Sequence, residues 1–186
     1  MNKSLVLLSG LLLAVAMPAS AQTVLGFHAG ANIATLGGDD VQDAESRTGM
    51  NIGASVLFPI GENLGLSIGG GWSEKGATVS ETEGDLEFKL AYVEFPVMLR
   101  YAFPTSGSVG FHLMGGGALG VESKCELEGS DGGVTVTVDC SEAGFDTKSM
   151  DFGLVGGGGV DFDISDGMEL FVDLLYTCLL YTSDAA

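Results

Sequence analysis

Apolar residues alternate with small or polar ones along most of this chain. A period of two marks β-strands with two unlike faces. The first stretch, about Val24 to Leu36, sets Phe27, Ala29, Ala31 and Ile33 against His28, Gly30 and Asn32. The second, about Gly49 to Ile60, aligns Ile52, Ala54, Val56 and Phe58, and the third begins at Leu64 and aligns Leu64, Leu66, Ile68 and Trp72. The fourth, about Leu86 to Phe103, opposes Ala91, Val93, Phe95, Val97, Leu99, Tyr101 and Phe103 to Leu90, Tyr92, Glu94, Pro96, Met98 and Arg100. Pro96 has no N–H for a ladder, which predicts a bulge or local break there. A fifth strand is expected over about Ser108 to Ser123, a sixth over about Lys148 to Ile164, and a seventh from Met168 to Thr177.

The connections alternate in kind. Residues 61–63, 104–107 and 165–167 are short turns, whereas 37–48, 80–85 and 124–147 are long and acidic, the last containing a β-like stretch from Val134 to Val138. Outer-membrane barrels show this asymmetry, with short periplasmic turns and longer extracellular loops. Bacterial barrels carry an even strand number, so an eighth strand is expected beyond the seven visible. The predicted fold class is therefore all-β, an antiparallel transmembrane β-barrel of eight strands with the last truncated.

The second face of each strand decides between membrane and water. It is mostly Gly, Ala and Ser, with isolated charges at Glu94, Arg100, Asp161, Asp163 and Asp173. A water-facing surface would carry many Lys and Glu; small residues with few charges suit a narrow interior shared by all walls. The apolar face is then expected to meet lipid, with Tyr101 and Phe103 in an interfacial girdle. The alternatives are a narrow solute channel and a soluble periplasmic ligand-binding barrel.

Composition agrees with this picture. Mean hydropathy is +0.36 and 30 residues are Gly, yet past the N-terminus no apolar run is long enough for a spanning helix. The net charge of −18, with seven Lys and Arg in all, excludes a nucleic-acid partner, since phosphate binding needs cations. The N-terminus has the parts of a secretory signal: Lys3, an apolar stretch from Leu5 to Ala16, and the small residues Ala19-Ser20-Ala21. Residues 1–21 are expected to be cleaved, leaving a barrel over 22–177. The last nine residues, 178–186, resemble the translation of a transposon-end sequencing adapter, so the native sequence is expected to part from this one near Thr177.

Three segments carry a resemblance: Gly26-Phe27-His28-Ala29-Gly30-Ala31-Asn32, Trp72-Ser73-Glu74-Lys75-Gly76-Ala77, and Leu90-Ala91-Tyr92-Val93-Glu94-Phe95-Pro96-Val97-Met98-Leu99-Arg100-Tyr101. With the Asp173 to Tyr176 segment, in that order and spacing, the chain resembles the outer-membrane β-barrel (porin-like) family of Gram-negative bacteria across nearly all of its mature length. The resemblance implies a small outer-membrane barrel without an assigned biochemical activity, and a last strand that carries the insertion signal.

Candidate chemistry is sparse. Cys125 and Cys140 flank Gly129 to Gly133 in the longest connection, and an exported protein meets an oxidising compartment, so a disulfide is expected; free thiols or a transient metal site are the alternatives. Arg100 is expected to pair across the lumen with Asp161, Asp163, Asp173 or Glu94, because an unpaired buried charge is costly. His28 and His112 fall on the same inner face, and no G-x-S-x-G elbow is present. Gly156 to Gly159 lacks the Lys and Ser/Thr of a phosphate loop. The acidic runs lack EF-hand spacing and are expected to be solvated charge. No catalytic residue, cofactor or metal ligand is assigned. The expected partners are outer-membrane lipid and lipopolysaccharide, with a surface partner reached through the acidic loops, and the expected state is a monomer.

Overall fold

The structure is a computed structural model and describes residues 23–34, 44–81, 84–131, 134–142, 144, 150–165 and 167–181. Within these, the chain forms β1 (Val24–Ala34), β2 (Ala44–Pro59), β3 (Leu64–Glu81), β4 (Gly84–Ala102), β5 (Val109–Asp131), β6 (Val134–Asp139), β7 (Met150–Ser165) and β8 (Met168–Tyr181). They make one curled antiparallel sheet in the order β1-β2-β3-β4-β5-β7-β8, with β6 paired to β5 off that path. The seven strands of the path are those the alternation predicts, and β6 is the β-like stretch of the longest connection. The cleavage segment and the acids from Asp39 to Asp43 lie outside the described residues.

The faces are inverted relative to a water-soluble barrel. Phe27, Ile52, Phe95 and Leu113 are 73%, 57%, 48% and 54% exposed, while Ser73 and His112 are each 2% exposed. No large side chain is fully buried among the described residues. The apolar cluster on the inner wall is small: Met98, Ala118 and Val155, with Met114 against it. Greasy side chains stand outward, and the interior is left to small, polar and charged groups.

Two strand limits and the place of a bulge differ from the sequence reading. The fifth strand does not stop at Ser123 but runs to Asp131, where β6 returns beside it through Glu126↔Asp139 and Leu127↔Val138. Much of 124–147 is therefore sheet. Charged residues continue the ladder there: Lys89 on β4 lies opposite Glu126 on β5 and pairs diagonally with Glu128 at 2.7 Å. The seventh predicted strand, β8, continues past Thr177 to Tyr181, since Leu179 and Tyr181 still find partners in Gly153 and Phe152. Pro96 interrupts the ladder toward β3 without shifting its register; the bulge lies opposite Ala91/Tyr92, where β5 carries the extra residue Ser123.

Gly76 shows how the sheet accommodates a charge that crosses it. Its φ of +146° favours glycine, and a Cβ there would collide with the Phe88 carbonyl and lie 3.0 Å from Arg47 Cδ. Through that gap Arg47 of β2 passes over β3, donating to the Lys75 carbonyl at 3.1 Å and to Glu87 of β4 at 2.5 Å.

If the outward row meets hydrocarbon, its tolerance of charge must depend on depth. Val97→Arg, midway along the outward row from Ala91 to Phe103, is expected to lower stability by about 2–4 kcal/mol, and Phe103→Arg, beside the short turn, by about 0–1 kcal/mol. Urea titration in lipid vesicles measures both. Equal, small effects would place the row in water.

Candidate functional site

The interior polar groups form two clusters separated by the apolar one. The first lies toward the short turns. Arg100 on β4 donates to Asp161 on β7 at 2.6 Å and reaches Glu169 on β8 at 3.3 Å. His112 on β5 places Nδ1 2.9 Å from the same Asp161 carboxylate and Nε2 3.0 Å from Asp173 on β8. The contact to Asp173 is close but poorly aligned, and Nε2 and Asp173 Oδ1 make no hydrogen bond among the described residues. It is an electrostatic contact, not a directed one. Gly159 creates the seat for this pair: a Cβ there would run into Asp173 Oδ1 and stand 2.8 Å from His112 Cε1.

Met98, Met114, Ala118 and Val155 cover the wall above this network. Beyond them is the second cluster. Lys75 on β3 pairs with Glu94 on β4 at 2.5 Å and stands 5.1 Å from the Tyr92 ring centroid, a cation–π arrangement. Tyr92 neighbours the buried Asp151 on β7. Beside this cluster, on β1, β2 and β3, Asn51 donates to Asn32 at 3.0 Å, and Asn32 donates to Ser73 at 2.5 Å.

The structure therefore redistributes the expected lumen residues. Arg100 and Asp161 are paired, and Asp173 joins them through His112. Glu94 turns away to Lys75, because it sits on the far side of the apolar cluster. Asp163 is exposed beside the 165–167 turn, and among the described residues it forms no ion pair with Arg100 or His112. Lys75, Glu169 and the bridging role of His112 were not anticipated. Their phase was visible in the alternation, Lys75 with Ser73 and Glu169 with Asp173, but their partners depend on which strands lie side by side.

Past the second cluster, β3, β4, β5 and β6 continue as an external sheet. Glu87 bonds Arg47, and Lys89 lies 3.5 Å from Glu87 and 2.7 Å from Glu128. Burial alone would push the Glu87 carboxyl up, but the Arg47 hydrogen bond and the charges of Lys89 and Arg47 outweigh it and hold it below its ordinary value. Cys125 and Cys140 are joined in a disulfide that ties the end of β6 to β5, and the Cys140 amide donates to the Cys125 carbonyl at 3.2 Å. Glu126 and Asp139 stand directly opposite each other in this hairpin. Among the described residues, no group of three or more His, Cys, Asp or Glu side chains is placed to hold a metal ion.

A family model described as outer membrane protein beta-barrel domain matches residues 20–178. No curated protein matches the chain.

Two outcomes follow from these clusters. Arg100→Met leaves Asp161 buried without its guanidinium and is expected to cost about 3–5 kcal/mol, whereas Arg100→Met with Asp161→Leu recovers most of it; urea midpoints of both variants decide this. The lowered Glu87 pKa stabilises the external sheet above the carboxyl's ordinary value of 4.5, and that contribution is lost as pH falls through the still lower folded value. Amide exchange over 84–91, corrected for intrinsic rates, should be flat from about pH 6 to 8 and accelerate below about pH 4, and Arg47→Met should abolish that transition.

Proposed function

The chain belongs to the outer membrane protein beta-barrel domain family, and from that premise we propose that it anchors an acidic, disulfide-stapled sheet at the outer surface of a Gram-negative cell as an interaction surface, without catalysis. The observation that carries this reading is strand length. A membrane crossing uses about 9–11 tilted residues, whereas β5 has 23 and β4 has 19. Roughly half of each strand stands beyond the apolar band.

The external part is held by features that a passive connection would not need. The disulfide fixes β6, and the Arg47–Glu87–Lys89–Glu128 series ties β2, β4 and β5 together. Against that rigid frame, Glu126 and Asp139 are opposed in register. Like charges directly across a ladder are destabilising; the exposed Lys124 meets Glu126 at 2.8 Å, and a cationic partner would add to that relief. The proposed partners are therefore outer-membrane lipid and lipopolysaccharide around the barrel wall, and a positively charged surface partner at the sheet. The chain acts as a monomer delivered by a cleaved signal segment over residues 1–21.

A narrow solute channel is the second reading. The apolar cluster of Met98, Met114, Ala118 and Val155 disfavours it, because ions crossing between the two charged clusters would shed water against apolar side chains. Two measurements separate the readings. In vesicles, a fluorescent Lys-rich peptide is expected to bind the sheet, and Glu126→Lys with Asp139→Lys to weaken it about tenfold or more at low salt; an unchanged affinity defeats the surface reading. In planar bilayers the protein is expected to give no steady unitary currents, and such currents would favour the channel.

A further inference from the structure

With 25 acids against seven Lys and Arg in the chain, the place of each cation carries information. Among the described residues the cations are Arg47, Lys75, Lys89, Arg100 and Lys124. Lys75 and Arg100 serve the two lumen clusters. The other three stand on the outward face just past the apolar band. On β4 the outward row passes from Val93 through Ala91 to Lys89. On β5 it passes through Leu119 and Val121, and beyond the extra residue Ser123 the next outward position is Lys124, opposite Ala91. Lys89 lies opposite Glu126, two residues beyond Lys124. The two lysines are therefore diagonal neighbours on adjacent strands, with Cβ atoms about 7–8 Å apart, close enough for the Lys89 charge to act on Lys124. Arg47 lies across Gly76, the partner of Lys89 on β3.

Away from the apolar band the outward order is the same on both strands: Ala91, Lys89, Glu87 on β4 and Val121, Lys124, Glu126 on β5. Apolar gives way to cation, and cation to acid. A membrane has the matching layers, since hydrocarbon meets a plane of phosphates before it meets water, and lysine reaches that plane along an apolar stem. Trp72, outward on β3 opposite Val93 and 37% exposed, marks the same interface from the apolar side. The neighbouring acids leave capacity on both lysines. Lys124 meets Glu126 at 2.8 Å with its side chain 61% exposed, and Lys89 meets Glu128 at 2.7 Å and Glu87 at 3.5 Å. An ammonium has three donors, so these pairs leave each lysine a hydrogen for a further acceptor.

We propose that Lys89 and Lys124 form a seat for the phosphomonoester of an outer-leaflet lipid, a site that rests on the membrane reading above and not on the cationic partner of the external sheet. The headgroup approaches from the membrane side, where Lys124 precedes Glu126 and Lys89 precedes Glu87. Its acyl chains then lie over Ala91, Val93 and Val121, beside Trp72. That apolar wall directly beneath the lysines commits the ligand to a lipid and not to free phosphate. The spacing of two ammonium groups commits it to a monoester. A phosphomonoester carries a charge of about −1.5 to −2 and three acceptor oxygens, so it takes a hydrogen from each lysine at once. A diester headgroup offers one charge and fewer free oxygens.

Trp72 is the single tryptophan of the chain, so its fluorescence reports the lipid beside it. The full chain in phosphatidylcholine vesicles is titrated with phosphatidic acid, a phosphomonoester, or with phosphatidylglycerol, a diester, each carrying brominated acyl chains that quench on contact. Half-quenching is expected at about a tenfold lower share of phosphatidic acid. That preference should vanish in Lys89→Gln with Lys124→Gln and persist in Lys89→Arg with Lys124→Arg. Equal quenching by the two lipids in the unaltered chain overturns the seat, and so does a preference that survives the glutamine changes. If the glutamine variant does not fold, Glu126→Gln releases Lys124 and should raise the preference; a lowered preference overturns the seat. Soluble inorganic phosphate should not relieve the quenching, and relief would make free phosphate the ligand and overturn the lipid assignment. No quenching by either brominated lipid would put Trp72 outside hydrocarbon and defeat the membrane reading itself, which keeps the two failures apart.

Discussion

Hydrocarbon cannot hydrogen-bond, and the architecture of this protein follows from that one limit. Every backbone donor and acceptor at membrane depth has to find its partner within a ladder. Every polar side chain at that depth has to turn inward, where other polar groups await it. The outward rows of Phe27, Ile52, Phe95 and Leu113 and the inward positions of Ser73 and His112 are the two halves of that sorting. A large apolar core of the soluble kind is absent from the described residues, because the greasy surface is already satisfied by its surroundings.

The same limit makes the interior crowded and electrically exacting. Arg100 and His112 converge on Asp161, and His112 also meets Asp173, so one side chain each from β4 and β5 ties in β7 and β8, the next two strands of the sheet. Such a cluster is weak evidence of net stability, since desolvation offsets much of its Coulomb energy. What it secures is placement: losing one member strands another. Gly159 has its role here, because any side chain would occupy the space where Asp173 meets His112. The second cluster, around Lys75, Glu94, Tyr92 and Asp151, repeats the principle on the other side of the apolar layer.

Beyond the membrane the physical rule reverses. The external parts of β3, β4, β5 and β6 can carry charge on their faces, and they do, through Arg47, Glu87, Lys89 and Glu128. Water weakens each of these pairs, and the covalent tie between Cys125 and Cys140 supplies constraint that exposed ion pairs alone would not. The sheet is thereby tied together despite the opposed Glu126 and Asp139, of which Glu126 is met by Lys124.

Much of this was legible in the residues themselves. The period of two located all seven path strands and even the short β6, and it assigned the correct face to Arg100, Asp161, Asp173 and His112, since facing depends only on parity along one strand. The short connections fall where the alternation put them, between β2 and β3, β4 and β5, and β7 and β8. Strand ends were less legible: the alternation of apolar residues fades near Ser123, yet pairing continues to Asp131 because charged cross-strand partners replace apolar ones. Two things were settled only by the tertiary structure. Glu94 joins Lys75 and not Arg100, and Asp163 stays at the mouth. Each depends on register and curl between strands distant in sequence, and a one-dimensional pattern records parity within a strand but not the height at which two strands meet.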